Sequence, residues 1–250
     1  MRLCCQTMDT KTHMIPKIIH YCWFGRGPMP ELAIRCIESW HKYMPDYEYK
    51  LWNEDNFDVN STPYTKEAYE ARKFAFVSDV VRLKVLKQYG GIYFDVDFEV
   101  YKPFDNLLNY KAFAGFEGSK HNPVMMGVIA SVAEGEWVSE QLGLYENRHF
   151  IVDGAPDLTT NVTFISRHMA QKGFTPNGKE QEYLDLHIFP VDYFCPRLTT
   201  GEYLLTENTY CQPISNESSW SKKSLKGKLF SILPSSVRIA LIKTKRKIIG

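Results

Sequence analysis

Gly90-Gly91-Ile92-Tyr93-Phe94-Asp95-Val96-Asp97 is the stretch on which the reading of this chain turns. The two glycines stop a segment rich in Ala, Lys, Glu and Leu, residues 64–89, which reads as helical with a break near Phe76. Glycine tolerates the left-handed conformation that a helix end needs. Residues 92–100 then read as a strand. Side chains alternate along a strand, so Ile92, Phe94 and Val96 are expected in the core while Tyr93, Asp95 and Asp97 share the other face. Two carboxylates on one face at a strand end make half of a site for a hard cation, Mg²⁺ or Mn²⁺, whose shell is commonly completed by phosphate oxygens and water. Taken alone, a D-x-D triplet reads equally well as a solvated acidic strand end.

Upstream, the apolar run 15–23 ends at Gly25-Arg26-Gly27-Pro28 and reads as a strand buried on both faces. Residues 30–43 carry Ala33, Cys36, Ile37 and Trp40 at helical spacing behind Pro30, and residues 47–52 alternate as a second strand. The order β, α, β, α, β with short connections predicts an α/β layer architecture around a mostly parallel sheet. Further on, the pattern predicts strands at 112–116 and 187–191 and a helix at 161–171. No internal repeat or low-complexity segment is present.

At 250 residues, with 44% hydrophobic and 14% aromatic content, the chain can bury a core, which excludes a disordered, collagenous or disulfide-stapled protein. Its 30 basic and 29 acidic residues give no general reason to expect nucleic acid. The distribution is uneven. Residues 221–250 hold nine Lys or Arg and no acidic residue, leaving 21 basic against 29 acidic residues in 1–220. That tail reads as two short amphipathic basic helices separated by Pro234, suited to an anionic membrane surface. The six cysteines form no C-x-x-C pair, which fits reduced thiols in a cytoplasmic protein. No apolar run approaches a bilayer-spanning length, and residues 1–14 lack a secretory apolar region. The expected location is cytoplasmic, peripheral at the inner membrane face.

Ser78-Asp79-Val80-Val81-Arg82 lies on the helix leading into Gly90, with Asp79 and Arg82 on one helical face. If exposed, they are an ion pair worth a few tenths of a kcal/mol. Pointed at the same cleft as Asp97, they instead offer a carboxylate to sugar hydroxyls and a guanidinium to a diphosphate. Trp23, at a strand end, reads on its own as packing.

Four segments together resemble the DXD-containing glycosyltransferases of family 32, relatives of yeast initiation-specific mannosyltransferases, bacterial capsular polysaccharide enzymes and, more distantly, the large clostridial glucosylating toxins. They are Ile15-Pro-Lys-Ile-Ile-His-Tyr-Cys-Trp-Phe-Gly25, Trp52-Asn-Glu-Asp-Asn-Phe57, Phe76-Val-Ser-Asp-Val-Val-Arg82 and Tyr89-Gly-Gly-Ile-Tyr-Phe-Asp-Val-Asp97. The resemblance covers 15–116 well and continues more weakly through Phe189-Pro-Val-Asp-Tyr-Phe-Cys-Pro196 to Ser219-Trp220. It implies a GT-A, Rossmann-like fold over residues 15–220, between an extension at 1–14 and the tail. It also implies a nucleotide-sugar donor taken as UDP-linked, Mn²⁺ or Mg²⁺, and retaining transfer of a hexose to a polysaccharide, oligosaccharide or glycolipid. By the resemblance, Trp23 stacks on the donor base, and Asp79 and Arg82 hold the donor sugar. Asp95 is shared by sugar, ribose and metal water, Asp97 ligates the metal, and Tyr93 and Asn56 line the donor pocket. Many members carry a His-His pair before a closing Ser-Trp. Here the segment is Thr209-Tyr-Cys-Gln-Pro-Ile-Ser-Asn-Glu-Ser-Ser-Trp220, so Glu217, Ser218 and Trp220 stand in as the donor lid, with Glu217 as a further metal ligand.

Two other readings remain open on the residues. Asp95-Val-Asp97-Phe-Glu-Val100 also resembles the strand end of haloacid-dehalogenase-type phosphatases, with Asp95 as nucleophile and Asp97 as general acid. That family needs a later acidic pair, and none stands in a convincing place. The altered lid equally suits an inactive, membrane-associated scaffold.

Overall fold

A computed structural model describes residues 14–118, 123–197 and 203–214. Glu217, Ser218, Trp220, the basic tail and residues 1–13 of the extension at 1–14 lie outside the described residues. The apolar run becomes β1 (Ile18–Cys22), and Pro30 precedes α1 (Glu31–Tyr43), which buries Ala33, Cys36 and Trp40 as the spacing requires. β2 (Glu48–Trp52) then returns parallel to β1. The helical stretch divides into α2 (Pro63–Glu70), capped by the Thr62 side chain, and α3 (Phe74–Tyr89). The break therefore falls at residues 71–73, before Phe76, where Arg72 takes a positive φ of 56°. Gly90 ends α3 as expected, at φ 65°.

β3 (Gly91–Phe94) pairs with β1, and the approach is close. A Cβ on Gly91 would stand 2.6 Å from the Ile18 carbonyl oxygen. The expected strand over 92–100 does not run through. The Asp95 N–H still bonds the Gly127 carbonyl (2.7 Å), in register with the Phe94–Val128 pairing, but the Asp95 carbonyl accepts from the Phe98 N–H (3.2 Å) and closes a turn. Residues 95–97 form a turn, after which β4 (Phe98–Val100) leaves the main sheet. Alternation therefore ceases to govern the Asp-Val-Asp triplet, and Val96 is only partly buried. Helix α1 pins β4: the fully buried Trp40 donates from Nε1 to the Phe98 carbonyl (2.7 Å), and Ser39 Oγ accepts from the Val100 N–H (2.9 Å).

β5 (Ala112–Gly115), β6 (Val128–Ser131), α4 (Glu136–Gly143), the small hairpin β7 (Ile151–Val152) and β8 (Ala155–Pro156), and α5 (Asn161–Gln171) follow. β9 (Gln181–Tyr183), β10 (Leu186–Phe189), α6 (Val191–Phe194) and β11 (Cys211–Pro213), which pairs with β4, complete the described chain. The strand expected at 187–191 thus ends at Phe189, and Val191 opens a short helix. The main sheet has seven strands in the order β2-β1-β3-β6-β5-β10-β9. β2, β1, β3, β5 and β10 share one direction, while β6 and β9 oppose them. The expectation of an α/β architecture around a mostly parallel sheet holds, with one reversed strand near its centre.

Each sheet face carries its own core. One buries Tyr93, Ile129 and Leu186 with α2, α3, α4 and α5. The other buries Ile19, Ile92, Phe94 and Phe113 with α1, β4, α6 and β11. Alternation within β3 thus sends Ile92 and Phe94 to one core and Tyr93 to the other.

Candidate functional site

A cavity of about 330 Å³ opens where the carboxyl end of β3 meets the start of β6, and Asp79, Arg82, Asp95 and Asp97 all line it. Ligands of open α/β sheets characteristically bind outside the carboxyl ends of the strands, where strand order changes direction.

Helix α3 explains the first pair. Val77, Val80, Val81, Leu83, Val85 and Leu86 are buried around it. Asp79 and Arg82 fall among these residues and go in with them, 7% and 4% exposed, whereas Lys84 and Lys87 of the same helix are only partly buried. This corrects the reading of a solvated ion pair. Arg82 donates from Nη2 to Asp79 Oδ1 (2.9 Å), from Nη1 to the Met126 carbonyl (2.6 Å) and Asp95 Oδ2 (3.3 Å), and from Nε to the Ser78 carbonyl (3.2 Å). Its guanidinium also stacks over the Tyr93 ring, 4.6 Å from the centroid.

Two carboxylates face one guanidinium here, a net negative charge, with the Asp79 side chain 9% and the Asp95 side chain 36% exposed. Burial pushes the Asp79 carboxyl up to about 7, with Asp95 adding to the rise and Arg82 opposing it. Burial also disfavours the charge on Arg82, but Asp95, Tyr93 and Asp79 outweigh it and hold the guanidinium above its ordinary value. A proton on Asp79 is the simplest way to neutralise the cluster.

Asp95 is held from both sides. Its Oδ1 accepts from the Tyr93 hydroxyl (2.9 Å) and its Oδ2 from Arg82. Glycine at 127 makes the room: a Cβ there would stand 3.0 Å from Asp95 Oδ2 and 2.5 Å from the Phe98 ring. Asp95 and Asp97 reach one cavity because the chain turns between β3 and β4. Among the described residues no group of three His, Cys, Asp or Glu gathers for a metal ion. Two carboxylates lining one cavity still suit Mg²⁺ or Mn²⁺, which commonly take one or two protein carboxylates and fill the rest of the shell with phosphate and water.

Tyr93 reaches the site through Asp95, from the buried side. Trp23 and Asn56 stand elsewhere and are not among the residues lining this cavity. Trp23 is half-buried beyond β1, its N–H bonded to the Trp52 carbonyl (3.0 Å) and its Nε1 to the Gly27 carbonyl (2.7 Å). Asn56 closes the turn after β2 by donating to the Leu51 carbonyl (2.8 Å) and accepting from the Asn53 N–H (2.9 Å). The cavity also gathers Glu117, Asn161 and Arg197, for which the sequence reading gives no role. Glu117 follows a strand and Asn161 opens a helix, and neither position carries a local mark of function.

Residues 30–114 match the family described as a glycosyltransferase sugar-binding region containing the DXD motif. Inositol phosphoceramide mannosyltransferase 3 of Schizosaccharomyces pombe is 36% identical over 102 residues, 39% of this chain and 28% of that protein. Glucan organizing enzyme 1 of Cryptococcus neoformans is 50% identical over 132 residues, 44% of this chain and 36% of that protein. The chain spans less than a third of the length of the first of these. Among solved structures, the PaToxG glycosyltransferase superposes with a TM-score of 0.47 at 19% identity, covering 64% of this chain and 70% of that one.

Proposed function

We propose, from a chain whose residues 30–114 carry the sugar-binding region of DXD glycosyltransferases, that the protein transfers a hexosyl group from a nucleotide sugar to a glycolipid or glycan. The observation that carries this reading is the convergence of Asp79, Arg82, Asp95 and Asp97 on one cavity. Arg82 sets a fixed positive charge beside the leaving diphosphate, the group on which negative charge grows during transfer. Its fork is held by four hydrogen bonds, so that charge is aimed before substrate arrives. Asp79, with Oδ1 held by Arg82, offers its other carboxyl oxygen to a sugar hydroxyl. Tyr93 fixes the rotamer of Asp95. Asp95 and Asp97 would hold Mg²⁺ or Mn²⁺, which supplies positive charge against the diphosphate when bound.

The finer reading is a UDP-linked hexose donor, retention at the anomeric carbon, and a lid formed by Glu217, Ser218 and Trp220, with Trp23 and Asn56 toward the nucleotide. The yeast relative named above acts, by its name, as a mannosyltransferase on inositol phosphoceramide, which supports a lipid-linked acceptor; a peripheral position at the inner membrane face rests instead on the nine positive charges of residues 221–250. The phosphatase reading is disfavoured by the surroundings, since among the described residues no further acidic group joins Asp95 and Asp97 in a metal-holding cluster.

Asp97→Asn tests the proposal. It keeps the shape of the turn while removing a charge, so consumption of a nucleotide sugar with Mn²⁺, screened over UDP- and GDP-linked hexoses, should fall by orders of magnitude with an almost unchanged unfolding midpoint. Full activity in this variant, or in excess chelator, overturns the metal role.

A further inference from the structure

One wall of the cavity is not used by the reading above. Phe116 extends β5 through a bridge to Val124, the Glu117 N–H bonds the Pro123 carbonyl (2.8 Å), and the Phe116 N–H bonds the Phe189 carbonyl (3.1 Å), which fixes the backbone under Glu117. The next residue must be small: a Cβ on Gly118 would stand 2.3 Å from the Arg197 carbonyl oxygen and 2.8 Å from its Cβ. This close backbone approach brings Glu117 and Arg197 to the same cavity. Burial holds the Glu117 carboxyl above its ordinary value, against the opposing charge of Arg197.

The third member is Asn161, 8% exposed at the start of α5 and part of the same lining. Its Oδ1 accepts from the Val162 N–H (2.7 Å), which fixes the orientation of the amide. Its Nδ2 is left without a hydrogen-bond partner among the described residues. Buried amide donors are rarely left so, and a ligand group in the cavity is the natural acceptor.

We propose that Glu117, Asn161 and Arg197 form the subsite for the acceptor, holding a neutral polyhydroxyl group, a sugar or a polyol, next to the Asp95–Asp97 turn. The assignment rests on the glycosyl-transfer reading. The two halves of the cavity differ in what they offer. A diphosphate suits Arg82 and a cation on Asp95 and Asp97. Glu117 and Arg197 together carry no net charge, and beside the Asn161 amide they suit a neutral polyol: one hydroxyl donates to Glu117, and another accepts from Asn161 Nδ2 or Arg197. Glu117 positions the acceptor by accepting a hydrogen bond from a hydroxyl; as the attacking oxygen bonds the anomeric carbon, the bond to the diphosphate breaks and the hydroxyl proton passes to an oxygen of the departing diphosphate.

The experiment follows where the hexose goes. The full chain, with Mn²⁺ and whichever nucleotide sugar it consumes, is offered myo-inositol and methyl α-mannoside as probes, and glycoside is separated from free sugar. Wild type should form glycoside with at least one probe. In Glu117→Gln and Asn161→Ala the ratio of glycoside to free sugar should fall at least tenfold, with a raised KM for the probe. A subsite role is overturned if both variants keep the wild-type ratio, or if wild type consumes donor yet glycosylates neither probe. Glu117→Asp, which keeps the charge and withdraws it by one methylene, decides the matter should the glutamine variant fail to fold. Failure of wild type to consume any nucleotide sugar is a separate result and overturns the transfer reading on which this subsite depends.

Discussion

Arg82 shows how far burial changes the meaning of a residue. On paper its spacing from Asp79 describes a surface ion pair. In the fold its guanidinium serves two carboxylates and two carbonyls, one of them 44 residues away at Met126. A lysine keeps the charge but not the planar fork. Arg82→Lys should therefore lose activity by orders of magnitude and also destabilise the protein, by about 3 kcal/mol, because Asp79 is left buried and poorly paired. Denaturant unfolding beside donor-consumption assays checks both, and a variant with wild-type stability and activity contradicts the role. The sequence held a sign of this burial: Asp79 and Arg82 stand among Val77, Val80, Val81, Leu83, Val85 and Leu86, and the helix's other charges, Lys84 and Lys87, come later and are only partly buried. Asp95 and Asp97 are readable as partners from the triplet alone, but the expected strand alternation is not what joins them. The turn closes where the Asp95 carbonyl accepts from the Phe98 N–H, and no local pattern announces it.

Elements were legible where punctuation and period agreed. Residues 15–23, 30–43 and 47–52 and the glycine stop at 90 are marked by apolar runs, helical spacing and breakers, and the structure places β1, α1, β2 and the end of α3 there. β6 escapes because Val128–Ser131 is four buried residues with no alternation and no flanking proline. The break at 71–73 escapes because an arginine, not a glycine, takes the left-handed conformation. His20 ties three of these elements together: Trp52 Nε1 of β2 donates to its Nδ1 (3.1 Å), so its Nε2 carries the proton and donates to the Gly90 carbonyl (2.9 Å). Burial, first among the causes, lowers its pKa from 6.5 to about 4. The unfolded chain therefore binds a proton that the folded chain refuses between those values, so this contribution is present above pH 6.5 and is lost as pH falls toward 4. Its size is about 3 kcal/mol between pH 7 and pH 4. His20→Gln should flatten the acid limb of unfolding free energy by that amount relative to wild type. An unchanged limb shows that His20 is not the group responsible.

Across the whole molecule the charge is as divided as the fold is unified. Nine positive charges lie in 221–250, and the remainder is acidic. Each Lys or Arg near an anionic bilayer contributes about 1 kcal/mol and is screened by salt. Replacing those nine residues by glutamine in the full chain should abolish salt-sensitive binding to phosphatidylserine-containing vesicles without moving the unfolding midpoint. Unfolding of that variant, with no vesicle binding by wild type, assigns the charges to the acidic body instead. The reversed strand β6 reaches further than the cavity it helps to line. It lies between β3 and β5 although it is synthesised after both, so the sheet cannot be assembled in the order in which the ribosome delivers it. Residues 18–94 emerge as β2, β1 and β3 already adjacent, whereas β5 has to wait for β6 on one side and β10 on the other. A nascent chain can complete the half that bears Asp79, Arg82 and Asp95 long before the carbonyls of Met126 and Gly127 exist to receive them.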